Sequence, residues 1–599
     1  MHAADITDLL SLSRHIRLPS GVTRVQTRLL AAGAQHFTLV AHDPATGRFR
    51  RFPRPLFDRL LSAMTQPGGA RDPAWQALVE EAWASLAAAP EHRFAPGEWL
   101  LGIGAAWWLP GHAGRIQAAR EETGLRYASF VYDLIPLTVP EHVAPELVRS
   151  FVQHFAALCL LADHAICISE AVRRDFIAWQ RRLLPNLSIP ADVLRLDARF
   201  AAPEAADPPA GTLPAEPFVL AVGSVESRKN QYGLLRAWLH LLRRHGEQAV
   251  PRLVLVGIRG YLAEQVEQLL AGAPELARRV EWRRSATDPE LAALYRHCLF
   301  TIFNSHAEGW GLPVTESIAH GKVPLLPDLP VLREAGGPHA VYVEPECVPA
   351  LAEAAWRLIS NPGERMAREA ALRAAPGLRS WEELASACAA LLDRAPGAAR
   401  GDRFTLPIGA AVPGGLPPMP ALPGLPPAYA AAGPLIRLGP GWAEQEEWGT
   451  WAIAPGPAFL RLPLDPALRG QPLTLLLEVT APGAGHHGRL RAQGGDWQEW
   501  RLPGGEGQLR IDVEGPAEGP LLVEIDIGEG VEVPPDHRRL GLGLRRLRLL
   551  PRPAQQAGPV PPPPDPAAPA DDPASDTPSA SPPRAGGLWA RLFSLRRGR

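Results

Sequence analysis

Five short, unbroken apolar runs constrain this chain more than any other feature: FVLAV at 218–222, LVLV at 253–256, LFTIF at 299–303, VPLL at 323–326 and AVYV at 340–343. A strand with one wet face alternates apolar and polar residues, so a continuous run needs cover on both faces, as in a parallel sheet layered between helices. Helical periodicity fills the gaps. Leu234, Leu235, Trp238, Leu241 and Leu242 fall on one face of a helix expected over 232–244. The alternation predicts a doubly wound α/β domain over residues 215–394, ending in a helix at 381–392.

The rest of the 599 residues divides by composition. Residues 1–200 mix strand-like segments, at 37–40, 99–103, 127–132 and 165–168, with helical ones. A Pro/Ala-rich stretch at 201–217 and a longer Pro/Gly/Ala-rich one at 395–433 read as linkers. Over 434–550, partial alternation between Gly/Pro turns predicts an all-β, sandwich-like domain. Residues 551–599 form a Pro-rich tail expected to be disordered, ending in the basic, apolar segment GLWARLFSLRRGR.

Bulk numbers remove several classes of function. A formal net charge of -2 gives no pull toward nucleic acid, and no nucleic-acid motif stands out. Five scattered cysteines without a C-x-x-C pair argue for reduced thiols rather than disulfides or zinc. The opening MHAADITDLL lacks the layout of a signal peptide, and the best apolar stretch, 151–168, is broken by His154, Asp163 and His164. A cytoplasmic protein is expected, with weak peripheral contact at the membrane's inner face through the C-terminal tail.

Chemistry concentrates in two segments of the second α/β domain. The first is NSHAEGWGLPVTESIAHG at 304–321, after an apolar strand and before a helix that Pro313 can start. Gly309 and Gly311 let the backbone turn sharply and bring N–H groups close to a ligand, and the helix N-terminus suits an anion. Glu308 in the loop can accept hydrogen bonds from sugar hydroxyls, and Glu316, a turn into the helix, can grip a ribose diol. The second is VGSVESRKNQYG at 222–233, directly after FVLAV, which puts Arg228 and Lys229 at the carboxyl end of a sheet strand. Of 61 basic residues only Lys229 and Lys322 are lysines. A chain that otherwise writes positive charge as arginine places a compact ammonium here, as binding a phosphate as a point charge would require.

These segments resemble the family 4 glycosyltransferases of the GT-B fold, whose E-x7-E stretch runs close to EGFGLPxxEAxAxG and whose basic loop reads E-P-R-K-N. The resemblance implies two Rossmann-like domains, acceptor side first, with the active site between them. It implies that Glu308 contacts the donor sugar and Glu316 the ribose, and that the backbone of Gly309, Trp310, Gly311 and Leu312 approaches sugar and phosphate. Lys229, with Arg228, would neutralise the diphosphate. This chain departs from the pattern at Ser227, where the family has proline, and at Ser224, where many relatives carry a second arginine. On the acceptor side, GVTRVQTRLL resembles the family's opening glycine and helix, which points to Gly21. FVYDLIPL resembles its V-H-D-L-I-P-L segment, with Tyr132 in place of histidine and Asp133 retained.

The expected reaction is retaining hexose transfer, mannose being one reading, from a nucleotide-diphosphate sugar to a glycan or lipid-linked oligosaccharide in surface polysaccharide synthesis. No cofactor or metal is expected, because no D-x-D pair occurs and charge on the leaving diphosphate falls to Lys229, Arg228 and backbone N–H groups. Two other readings remain: a nucleotide-sugar epimerase on the same fold, and a carbohydrate-binding scaffold whose transferase half is silent. Trp442, Trp448, Trp451, Trp497 and Trp500 of the β-rich region bear on the last, either as core residues or as platforms for sugar rings.

Overall fold

In the computed structural model the described residues are 1–17, 21–66, 68–109, 111–185, 187–199, 213–375, 377–396, 403–415, 432–443, 445–534 and 536–552. The first linker, much of the second and the C-terminal tail fall mainly or wholly outside them. The chain divides into two compact units, Met1–Arg403 and Phe404–Arg599.

The first unit holds two parallel sheets. The first contains β1 (His2–Asp5), β2 (Phe37–His42), β3 (Phe49–Arg51), β4 (Trp99–Gly102), β5 (Arg126–Val131), β6 (His164–Cys167) and β7 (Ala191–Val193), ordered β3-β2-β1-β4-β5-β6-β7. Only the β2–β3 pair is antiparallel. The second contains β8 (Phe218–Val222), β9 (Arg252–Val256), β10 (Val280–Arg283), β11 (Thr301–Ile302), β12 (Pro324–Pro327) and β13 (Val341–Val343), ordered β10-β9-β8-β11-β12-β13 and parallel throughout. Each order reverses next to its first strand, between β1 and β4 and between β8 and β11. Ligands of doubly wound sheets bind at that switch, outside the carboxyl ends of the strands.

The unbroken apolar runs have the cause anticipated for them. Val219, Leu253 and Leu255 enter one core with Trp238, Leu241 and Leu325, whereas Phe218, Leu220, Val254 and Val256 enter another on the opposite face with Leu294 and Tyr295. The helix Gln231–His245 buries all five residues assigned to its apolar face.

One helix does not stay with its own sheet. Trp381–Arg394, started by a Ser380–Glu383 capping box, packs against Gly21–Ala32 of the first domain. His36 Nε2 lies 3.1 Å from Ser386 Oγ, and His2 Nε2 lies 3.1 Å from Asp393. The two strands of chain that cross between domains are tied to each other: Arg199 N–H donates to Arg379 O at 2.9 Å, and Arg379 N–H donates to Asp197 O at 3.0 Å.

The second unit is all-β, with nine strands in one antiparallel sheet among the described residues. Its long strand Pro472–Ala492 buries Leu473, Leu475, Leu477 and Val479 with period two. Residues 473–480 pair with Asp536–Pro551, while 489–492 pair with Leu521–Asp526, the exchange falling across an irregularity at Ala481/Gly485. The described strands thus form one antiparallel sheet, a half-barrel, where the sequence was read as sandwich-like. Val412–Pro413, within the stretch read as linker, joins this sheet as an edge strand, where proline's missing N–H is tolerated.

Candidate active site

Lys229 and Glu308 come from the loops that follow β8 and β11, the neighbours at the switch point of the second sheet. The loop after β8 turns through Gly223, at φ 148°, and ends at Asn230 in the left-handed region, at φ 52°. Asn230 then caps the next helix, its side chain accepting from Gly233 N–H at 3.0 Å. The single turn Ser227–Lys229 between them holds both basic side chains toward β11.

The charges close on one another. Lys229 Nζ donates to Glu308 Oε1 at 2.6 Å, and Arg228 Nη1 donates to the same oxygen at 2.8 Å. Arg228 also bonds Ala307 O at 2.9 Å and Glu226 Oε1 at 2.8 Å. Lys229 Nζ sits 4.7 Å from the centroid of the Phe303 ring. The Glu308 side chain is only 7% exposed. Burial pushes its carboxyl up, but Arg228 and Lys229 outweigh that and hold it below the ordinary carboxylate range. Burial draws the Lys229 ammonium down, with Glu308 offsetting only part. Asp133 faces the same cations, and its carboxyl is raised by burial despite them.

Glu316 occupies a separate, drier place. On the helix Leu312–Ala319 its side chain is 3% exposed. Tyr295 donates its hydroxyl to Oε2 at 2.8 Å, and Arg24, on the first domain's helix Gly21–Ala32, brings Nη1 to 2.8 Å from Oε1. Neither Tyr295 nor Arg24 is singled out by the sequence. Arg24 carries a weak mark, since it lies three residues after Gly21 in the helix that the resemblance places at the cleft.

At Gly309 the backbones of the two domains come close together. A Cβ on it would lie 1.9 Å from Tyr132 O, so only glycine fits. Its own carbonyl accepts from Ser169 Oγ at 3.0 Å, and the Ser169 hydroxyl also caps its helix by accepting from Val172 N–H at 3.1 Å. Gly311, at φ 97°, precedes Leu312, whose Cδ1 lies 3.7 Å from the Cβ position of Gly21. Trp310 is buried at 3% exposure. Ser224 gives its carbonyl to Gln231 Nε2 at 2.8 Å.

Two residues expected on the acceptor side already have partners within their own domain. Tyr132 donates its hydroxyl to Ile103 O at 2.7 Å, which leaves its oxygen only as an acceptor for a further hydroxyl. Asp133 Oδ1 accepts from Ile135 N–H at 3.0 Å and so also starts a short helix. Ser227, at the position where proline was expected, bonds His142 Nδ1 at 2.7 Å, and His142 stacks on His306 at 4.5 Å between centroids. The first sheet's switch point holds two buried acids the sequence reading did not select. Asp8 accepts from Gln26 Nε2 at 2.8 Å and Ala105 N–H at 2.9 Å, and Asp5 from Thr7 N–H at 2.8 Å. Burial raises each carboxyl to about 6.

The sequence of the second domain matches the family described as glycosyl transferases group 1 over residues 206–374. This domain is a group 1 glycosyltransferase domain. Paired with the Rossmann-like domain before it, the glycosyltransferase domain forms the two-domain GT-B arrangement. Among related proteins, the chain is 30% identical over 241 residues to a serotype-specific mannosyltransferase WbdA of Escherichia coli, covering 38% of this chain and 29% of that protein. It is 31% identical over 137 residues to the O-antigen chain mannosyltransferase B of Escherichia coli, covering 22% of this chain and 34% of that protein. The chain thus spans about a third or less of the length of these relatives. Among solved structures, a sucrose-phosphate synthase from Thermosynechococcus elongatus aligns at a TM-score of 0.44 and 16% identity, over 65% of this chain and 98% of that one.

Proposed function

We propose that the protein is a retaining, metal-independent glycosyltransferase that moves a hexose from a nucleotide-diphosphate sugar to a glycan or lipid-linked acceptor in surface polysaccharide synthesis. The observation that carries this reading is the pairing of Lys229 and Arg228 with Glu308 at the switch point of the glycosyltransferase domain. Glu308 pairs with both cations. A diphosphate entering from the cleft competes for them, freeing Glu308 to accept from sugar hydroxyls. The reacting bond then breaks with its developing negative charge facing two fixed cations in a water-poor site, where such charges stabilise most. Departure of the diphosphate leaves an oxocarbenium-like centre, which the acceptor hydroxyl attacks from the face just vacated.

Independence from a metal is supported by how the site's carboxylates are used. Glu316 is held by Arg24 and Tyr295, and the two cations that pair with Glu308 can themselves meet the charge of a leaving diphosphate. Mannose is the first sugar to test, because the relatives named above are mannosyltransferases. No helix among the described residues is long and apolar enough to cross a membrane, and the expected peripheral contact rests on a tail outside them.

A thermal-shift panel of GDP-, UDP- and ADP-sugars identifies the donor, because a ligand held only by the folded state raises the melting temperature. Transfer and donor hydrolysis are then compared for wild type and Lys229→Ala. Loss of both at retained fold is the expected result, and unaltered turnover removes the mechanism. Interconversion of donor sugars without transfer would establish the epimerase reading instead.

A further inference from the structure

The five tryptophans among the described residues of the second unit are not equivalent. Trp500 is buried, at 6% exposure. Trp442 commits its indole N–H to Phe459 O at 3.0 Å. Trp497 already carries two guanidiniums, Arg489 and Arg491, at 4.5 and 4.4 Å from its ring centroid. Trp451 packs edge-on against Trp448 at 5.1 Å. Trp448 lines a cleft of about 500 Å³ within this unit.

Its ring is held in place from three sides. The indole N–H donates to Glu446 Oε2 at 2.8 Å, Trp451 braces one edge, and Gly543 of the strand Asp536–Pro551 lies beneath. A Cβ on Gly543 would approach the Trp448 ring to 2.7 Å and the Trp451 ring to 3.0 Å, so the glycine is what lets both rings lie against the strand. The rest of the cleft is polar and nearly balanced in charge. Arg546 lies 3.7 Å from Glu478, Arg545 pairs with Glu506, and Gln508 stands beside them. Three carboxylates, Glu447, Glu478 and Glu506, against two guanidiniums, Arg545 and Arg546, leave no positive excess for an anionic ligand. They do offer planar donors and acceptors beside an aromatic ring, within the usual size of a small-molecule site. A sugar ring presents those two surfaces together, an apolar C–H face and a rim of hydroxyls that both donate and accept.

We infer that this cleft is a carbohydrate-binding site of its own, taking a neutral hexose unit of a glycan with Trp448 as the stacking platform. It does not depend on the transferase reading. The test is binding of neutral hexose oligosaccharides (mannan, glucan and galactan fragments) to the full chain, by calorimetry or saturation-transfer NMR. Variants are Trp448→Ala, Trp448→Tyr, Gln508→Ala and Lys229→Ala. At least one fragment is expected to bind, with affinity at least tenfold weaker in Trp448→Ala, largely restored in Trp448→Tyr, several-fold weaker in Gln508→Ala and unchanged in Lys229→Ala. Gln508 is exposed, so its variant reports on the site even if Trp448→Ala unfolds. Binding that survives both β-unit variants, binding lost only with Lys229, or no binding by any fragment overturns the inference.

Discussion

Arg24 and Glu316 meet across the two Rossmann-like domains, Nη1 to Oε1 at 2.8 Å, with the carboxylate almost fully buried. The contact ties the residue expected to hold the ribose to the opposite wall of the cleft. Removing one partner of a buried pair strands the other charge, at a cost of about 3 kcal/mol. Arg24→Ala is therefore expected to lower the melting temperature in calorimetry, and adding Glu316→Gln should lower it little further. Fully additive losses would show that the two side chains do not act as a pair.

Lys229 is boxed in by Glu308, Arg228 and the Phe303 ring, with 12% of its side chain exposed. A planar guanidinium needs more room and a forked partner. Lys229→Arg is expected to lose about 100-fold in kcat/KM, the scale of losing one preorganised donor, despite keeping the charge. Wild-type turnover in that variant would refute the point-charge role.

Gly309 and Gly21 both lie where the domains approach, yet they predict opposite outcomes. A methyl group on Gly309 meets Tyr132 O at 1.9 Å, whereas on Gly21 the nearest atom is Leu312 Cδ1 at an ordinary 3.7 Å. Gly309→Ala must displace the loop bearing Glu308, and a shift of about 1 Å at a reacting centre costs on the order of 100-fold in rate. Gly21→Ala is expected to stay within a few-fold of wild type. Equal effects in steady-state kinetics would contradict the packing described here.

Asp5 and Asp8 give the pH dependence of stability a definite sign. Their carboxyls move from 3.8 in the unfolded chain to about 6 in the fold, raised by burial. Between those values the folded protein binds more protons than the unfolded one, so this contribution to stability falls as pH rises from about 4 to 6. At 1.36 kcal/mol per pH unit, each group contributes at most about 3 kcal/mol. Asp8→Asn should flatten the melting-temperature profile in that window, and an unchanged slope would assign the effect elsewhere.

The second sheet was legible because burial on both faces wrote itself into the chain as apolar runs, and β8, β9, β12 and β13 lie where those runs stand. Strands at the margin left no such trace. VEWR of β10 is an edge strand with every residue half-exposed, and HAAD of β1, though central, is made of small residues with weak strand preference. The site divides the same way. Glu308, Lys229 and the glycines were readable because loop chemistry is local. Arg24, Tyr295 and Ser169 act on residues 292, 21 and 140 positions away, a relation that no spacing in the sequence expresses. Tyr132 was placed on the acceptor side by the residues around it, and its bond to Ile103 O reaches a residue 29 positions earlier.

The excursion of Trp381–Arg394 onto the first domain means that no single cut separates the two halves of the transferase unit. A fragment ending at residue 200 would lose a helix from its own surface and uncover part of Gly21–Ala32. Any attempt to express the second Rossmann-like domain alone would carry that helix along as an unpartnered passenger. The chain passes twice between its domains, and Asp197 and Arg199 of the first passage bond Arg379 of the second, so any movement of one domain against the other loads both passages together, as a strap hinge does.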